Sequence, residues 1–379
     1  MTSVLFVWHA AILATNQKYL FHLASDPDLA VTLLIPPRWD ESTSMEEAHI
    51  PPAFSNFRVL VDEVKKPCKG LSYRFCNLRT ILAELRPDII FLYEEPYSYV
   101  ALQMMYWKRR ICPQAKFVFF TWQNLDCRYS FLRRQIESYV FRHSDMAVAG
   151  SKDVDDVLRL HGFCREIRRI PLALDPHYFL PVTEPARSDL RVRMGLQAFT
   201  VGYIGRLAKA KGLEDLLVAV SRIRQQPWQL LLIGSGPDEA MLRNLAQTLG
   251  IGERIVWIPY VKNIEMYQYY SIMDAFVLPS RTTKDWKEQF GRVLIEAMIC
   301  GIPVVGSSSG EIPLVLENAG LVFPEGDCNE LSSALLRLMN DGGLREQLIR
   351  TGRERVLAHY TWEHVGQNTA RLIKMLACR

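Results

Sequence analysis

The chain has no run of about 18 uncharged apolar residues, so no membrane-spanning helix is expected. Its eight cysteines, at positions 68, 76, 112, 127, 164, 300, 328 and 378, form no C-x-x-C pair. Its eight histidines form no H-E-x-x-H, so neither a thiol redox centre nor a structural metal is indicated. Free thiols in a reducing cytoplasm are the economical account. The phosphate-loop pattern G-x-x-x-x-G-K-[ST] is absent, which leaves ATPase chemistry unsupported. Internal repeats and low-complexity tracts are absent too. Asp26-Pro27-Asp28 and Asp153-Val154-Asp155 match D-x-D, but the first sits in a turn and the second in an expected helix, and neither reads as a metal site. Val4–Ala14 has the apolarity of a signal-peptide core. It lacks a basic leader, contains His9 and runs into Thr15-Asn16-Gln17-Lys18, so a first buried strand and its loop are expected.

What remains is a chain of 379 residues with 49% apolar and 23% charged content, long enough for two ordinary domains. Short β-rich runs alternate with helical patterns throughout, as in parallel sheets covered by helices. The first series comprises Ser3–Val7, Val31–Ile35, Asp88–Tyr93, Lys116–Phe120, Met146–Ala149 and Ile167–Ile170. The second comprises Thr200–Ile204, Gln229–Ile233, Arg254–Trp257, Ala275–Leu278, Val304–Gly306 and Gly320–Val322. Ser151 is placed to cap a helix. Leu172–Ala198, with Pro176, Pro181 and Pro185 and little periodicity, reads as the linker. The fold class is therefore α/β, two Rossmann-like doubly wound domains facing a central cleft, with ligands beyond the strands' carboxyl ends. The expected domains are 1–182, 183–360 and a terminal helix, 361–379.

Two runs carry chemistry. After the first strand of the second series comes Gly205-Arg206-Leu207-Ala208-Lys209-Ala210-Lys211-Gly212. Its glycines permit close backbone approach to a ligand, and two cations five apart can clamp a diphosphate. Cations at a helix start oppose the helix dipole, which makes a bound anion the more credible reason for them. Further on, Glu288-Gln289-Phe290-Gly291-Arg292-Val293-Leu294-Ile295-Glu296 opens a helix that ends at Gly301. Free N–H groups at its start form an anion site, flanked by carboxylates that can accept hydrogen bonds from sugar hydroxyls.

Together these runs resemble G-R-L-x-x-x-K-G and E-x7-E of the retaining GT-B glycosyltransferases, specifically glycosyltransferase family 4 (glycosyl transferases group 1). The match extends through Phe290-Gly291, Glu296-Ala297-Met298 and Gly301-Ile302-Pro303-Val304-Val305. The resemblance implies that Arg206 and Lys211 bind the donor's phosphates, Glu288 the transferred sugar and Glu296 the ribose. The backbone at Phe290, Gly291, Arg292, Val293 and Leu294 would meet the phosphates. Gly205 and Gly234 would belong to tight turns by the donor. Tyr260 and Val261 stand where relatives line the nucleobase pocket, although a loop aromatic between strand and helix fits them equally. The implied donor is a nucleotide-diphosphate sugar, with no cofactor and no metal.

In the first half the resemblance thins. Relatives carry a histidine in a T-x-H run after the fourth strand; here Thr121-Trp122-Gln123-Asn124 puts Gln123 in that place. Glutamine can hydrogen-bond a hydroxyl but cannot act as a base. His9, at the end of the first strand, is the alternative catalytic candidate, though a lone histidine there is as readily structural. Glu94-Glu95-Pro96 resembles the family's acceptor-side turn and, with Asn124, is expected to line the acceptor; a capped helix start explains it as well. Asn16-Gln17-Lys18 stand where relatives have a glycine-rich phosphate loop.

Net charge is +4 but uneven: Trp107–Arg142 holds eight basic residues against Asp126 and Glu137, with aromatics interleaved. An anionic membrane surface suits this stretch better than nucleic acid, while a solvated surface would show the same count. The reading is a cytoplasmic enzyme, peripheral at the inner membrane face, that transfers a hexose to a glycan or lipid-linked hydroxyl. The competing reading is a catalytically weak or inactive sugar-nucleotide-binding protein of the same fold.

Overall fold

The computed structural model describes residues 1–40, 45–51, 56–65, 72–180, 182–261 and 265–378. Of the cysteines and prolines named above, Cys68 and Pro181 lie outside the described residues. Contacts divide the chain into two units: Met1–Pro171 with Trp362–Arg379, and Leu172–Thr361.

The first unit contains β1 (Thr2–Val7), β2 (Leu29–Ile35), β3 (Arg38–Asp40), β4 (Met45–Glu47), β5 (Phe57–Val61), β6 (Val64–Lys65), β7 (Arg74–Phe75), β8 (Ile89–Leu92), β9 (Lys116–Thr121), β10 (Met146–Ala149) and β11 (Glu166–Arg169). Seven of these form a parallel sheet in the order β11-β10-β9-β8-β1-β2-β5, while β3-β4 and β6-β7 are small antiparallel pairs. Central strands are apolar on both faces because helices cover both; Val4–Val7 and Ile89–Leu92 are wholly buried. The edge strand β5 was not anticipated. Arg58 and Val61 on it are exposed, so it lacks the apolar run by which the central strands were recognised. The terminal helix Trp362–Ala377 packs on the helix Ala14–Ala24 of this unit. Lys374 clips it at 2.7 Å to Asp26 and 2.8 Å to Asp28, which gives the Asp-Pro-Asp turn a structural task.

The second unit contains β12 (Phe199–Ile204), β13 (Trp228–Ile233), β14 (Ile255–Ile258), β15 (Ala275–Leu278), β16 (Val304–Ser307) and β17 (Leu321–Phe323), ordered β14-β13-β12-β15-β16-β17 and all parallel. The segment read as a linker belongs to this unit and holds a helix, Glu184–Arg193. That helix buries no residue. Arg187 and Arg191 instead pair with Asp274 at 2.9 and 3.0 Å, so no apolar stripe was there to be read. Leu174 N donates to Tyr360 O and Val182 N to Ser271 Oγ, which ties the preceding residues to the same unit. In each sheet the strand order reverses at one point, between β1 and β8 and between β12 and β15. Side chains following those four strands occupy the ligand positions of a doubly wound sheet. Among the described residues no helix is long and apolar enough to cross a membrane.

Candidate functional site

At the reversal in the second unit, three loops meet backbone to backbone through glycine. A Cβ on Gly234 would lie 2.0 Å from Gly205 O, and one on Gly236 would lie 2.1 Å from Leu207 O. Leu207 N donates to Ser235 O at 2.9 Å. On the other side, a Cβ on Gly212 would lie 1.9 Å from Pro279 O. The Gly205–Gly212 turn is thus fixed between the turns after β13 and β15. Lys209–Lys211 forms a short 3-10 turn before the helix Leu213–Arg222. Arg206 stands exposed, with no ion pair or side-chain hydrogen bond among the described residues.

Lys211 is held differently. Its ammonium donates to Glu288 Oε2 at 2.8 Å and lies 4.2 Å from the centre of the Trp286 ring. Ser280 Oγ donates to the same Oε2 at 2.8 Å, and Glu288 is buried. Ser307 Oγ in turn donates to Ser280 O at 2.5 Å. Gly310, at φ +55°, brings the loop after β16 against the Glu288 backbone: a Cβ there would be 1.9 Å from Glu288 O. Arg281 braces the intervening loop on buried Asp215, with Nε to Oδ2 at 2.5 Å.

The helix opens at Gly291 in the left-handed region, φ +81°, and runs Arg292–Ile299. Phe290 and Leu294 are buried, with Phe290 edge-on to Tyr360, so at these positions a ligand would meet backbone. Glu296 accepts from Arg292 Nε and Tyr270 Oη, both at 2.9 Å. Burial pushes its carboxyl above the usual range, against both donors. Beyond β14, Val261 is buried and Tyr260 is 71% exposed. Ser280, Trp286, Gly310 and Tyr270 escaped the sequence reading. Ser280 follows a buried strand and the run Ser307-Ser308-Ser309-Gly310 ends one, a position that could have marked them.

At the reversal in the first unit, buried Glu94 Oε1 accepts from His9 N at 3.0 Å and Tyr73 Oη at 2.6 Å, and lies 2.5 Å from His9 Nδ1. The Trp39 ring lies 4.5 Å from the imidazole. His9 is therefore a positioned side chain at a ligand edge, not an isolated one. Gln123 is engaged at both ends of its amide. Oε1 accepts from Tyr97 Oη at 3.1 Å, and Nε2 donates to Leu125 O at 2.7 Å and Cys127 Sγ at 3.1 Å. It braces the loop after β9, while Asn124 beside it is buried. Asn16, Gln17 and Lys18 do not form a phosphate loop. They lie in the helix Ala14–Ala24, with Gln17 buried and Lys18 over the Trp362 ring.

Glu95 accepts from Thr121 Oγ1 and, at 3.2 Å, from Trp122 N. Desolvation pushes its carboxyl from 4.5 up to about 7 despite those donors. Between these values the folded chain keeps a proton that the unfolded chain has released. Stability therefore falls as pH rises through that window, and the loss is complete above about 7. Glu95→Gln should flatten this slope and raise the melting temperature at about pH 8 toward its value at about pH 5. Melting curves with equal pH dependence in both proteins would contradict the assignment.

The model of the family described as Glycosyl transferases group 1 matches residues 193–355. Similar curated proteins include a GDP-mannose-dependent monoacylated alpha-(1-6)-phosphatidylinositol monomannoside mannosyltransferase of Corynebacterium glutamicum. It is 29% identical over 54% of this chain and 55% of that protein. A mannosylfructose-phosphate synthase of Agrobacterium fabrum is 26% identical over 66% and 57%. The chain thus matches about half the length of these relatives. In fold it resembles a sucrose-phosphate synthase from Thermosynechococcus elongatus (TM-score 0.72, 21% identity, all of both chains). It also resembles the Anabaena protein HepE in complex with UDP (TM-score 0.74, 16% identity, 99% and 100% covered).

Proposed function

From the premise that this chain carries a glycosyl transferases group 1 domain on a GT-B fold, we propose that it is a retaining glycosyltransferase. It moves a hexose from a nucleotide-diphosphate sugar to a hydroxyl of a glycan or glycolipid. The observation that carries this reading is the Lys211–Glu288 ion pair at the strand reversal, in the turn that also carries Arg206, an exposed cation with no ion pair among the described residues. The diphosphate lies between Arg206, Lys211 and the N–H groups that open the helix Arg292–Ile299. Glu288 accepts from the transferred sugar and Glu296 from the ribose, and the base lies toward Gly234, Tyr260 and Val261. His9 and Glu94 hold the acceptor hydroxyl, with Glu95, Gln123 and Asn124 lining that side.

In the reaction the bond from anomeric carbon to diphosphate oxygen breaks, and the acceptor oxygen bonds to that carbon on the same face. The acceptor's proton passes to the departing diphosphate. The protein's main contribution is to stabilise the charge gathering there. Two side-chain cations and the helix start do so without a metal, so a chelator should leave the rate unchanged. The reading places the enzyme in the cytoplasm, where nucleotide sugars meet reduced thiols; the seven described cysteines are all free.

Incubation with uridine, guanosine and adenosine diphosphate sugars, followed by resonance assignment of the product's anomeric proton, tests the reading. Donor consumption with the donor's anomeric configuration preserved is expected. A chain that binds a sugar nucleotide and leaves it intact would instead be a binding protein of this fold.

A further inference from the structure

We propose that Arg128–Arg134, the end of the loop after β9 and the first turn of the helix Phe131–His143, docks on an anionic lipid bilayer. Phe131 and Leu132 enter the interface, and Arg128, Arg133 and Arg134 meet the headgroups. Phe131 is 78% and Leu132 53% exposed, two adjacent apolar side chains that the unit leaves in water. The three arginines around them are exposed and make no ion pair or side-chain hydrogen bond among the described residues.

Of the other five basic residues of the stretch, Arg142 is exposed in the last turn of the same helix, away from Phe131, and four are already engaged. Lys108 is buried and donates to Pro113 O, Lys116 faces Asp145, Arg109 bonds Tyr139, and Arg110 lies 3.7 Å from the centre of the Tyr106 ring. The two acids of the stretch make no ion pair with the three arginines, although Arg134 is near enough to Glu137 to favour its charged form. His161 holds both, Asp126 through Nε2 and Glu137 through Nδ1, each at 3.1 Å. The surplus positive charge is thereby concentrated beside the exposed apolar pair. The segment is also backed firmly: the Tyr129 ring lies 4.2 Å from that of Tyr97 and edge-on to His161.

Apolar side chains ringed by arginine suit a surface that is oily below and negatively charged above. A second copy of the chain would bring arginine against arginine, and a nucleic acid backbone would leave Leu132 unused. The segment follows the carboxyl end of β9, the sheet edge that bears Glu94, Glu95 and Gln123. The surface stands without the transferase reading; only its purpose, presenting a lipid-borne acceptor to that edge, rests on it.

Flotation of the full chain with phosphatidylcholine vesicles, with and without phosphatidylglycerol, tests this. Binding is expected only to the anionic vesicles and should weaken with salt. Removing each arginine, as in Arg133→Gln and Arg134→Gln, should lower partitioning about fivefold. Phe131→Ser with Leu132→Ser should lower it about tenfold or more. Arg110→Gln, on an arginine already engaged, should change it little. Donor consumption without vesicles should be unchanged in all these variants, which separates failure of this proposal from failure of the transferase reading. No vesicle binding, equal binding to both vesicles, or equal binding by the variants would overturn it. So would a dimer in light scattering that dissociates on Phe131→Ser with Leu132→Ser.

Discussion

Glu288→Gln is expected to lower turnover at saturating donor about a hundredfold or more while leaving the melting temperature within a few degrees. Glu288 is buried and accepts from both Lys211 and Ser280 on one oxygen. Glutamine keeps the shape and can still accept from Ser280, but it removes the charge that orients Lys211. A charge-assisted hydrogen bond lost in the transition state is worth up to about 3 kcal/mol, which is that rate factor. Lys211 would retain the Trp286 face at 4.2 Å, so the loop has a second hold on it. Steady-state kinetics at saturating donor, alongside thermal melts, measure both quantities. A rate within threefold of the parent's would remove Glu288 from the reaction.

Gly310→Ala is expected to cost nearly as much activity from a position with no chemistry of its own. Gly310 has φ +55°, where an alanine costs about 1 kcal/mol, and a Cβ would come within 1.9 Å of Glu288 O. Backbone meets backbone there, so Glu288 must shift. Gly250→Ala is the control: its φ is +67°, but nothing lies within 4 Å of the added Cβ. Both variants should lose about 1 kcal/mol of stability from the dihedral alone. Only Gly310→Ala should also lose most of its turnover, with donor affinity less affected. Equal kinetics in the two variants would mean that the contact does not position the carboxylate.

The motifs of the second unit were readable because their charged residues and their backbone demands share short runs of sequence. Arg206, Lys211, Glu288 and Glu296 lie within segments whose glycines are forced by close approach, and the strands before them are buried on both faces. Ser280 and Trp286 share the loop of Glu288, while Gly310 comes from the loop after β16; the contacts of Ser280 and Gly310 with Glu288, and of Trp286 with Lys211, exist only once β12, β15 and β16 are ordered. The first unit was harder for a related reason. Its edge strand β5 is only partly buried, with Arg58 and Val61 exposed, and Glu94 becomes a partner of His9 only through the pairing of β1 with β8. The helix Glu184–Arg193 carries no apolar period because arginines anchor it to Asp274. Gln123 was correctly placed at the end of β9, yet its engagement by Tyr97, Leu125 and Cys127 follows from the path of a loop that no motif describes.

The central claim is that a diphosphate is held by Arg206, Lys211 and the helix opening at Gly291. Titration calorimetry of uridine, guanosine and adenosine diphosphates into the parent chain, Arg206→Ala and Lys211→Ala tests it most directly. Each lost charge-assisted hydrogen bond is worth about 1.5–3 kcal/mol, so the preferred nucleotide should bind each variant roughly ten- to a hundredfold more weakly. Undiminished affinity in both variants, or heat from none of the three nucleotides with the parent chain, would contradict the account.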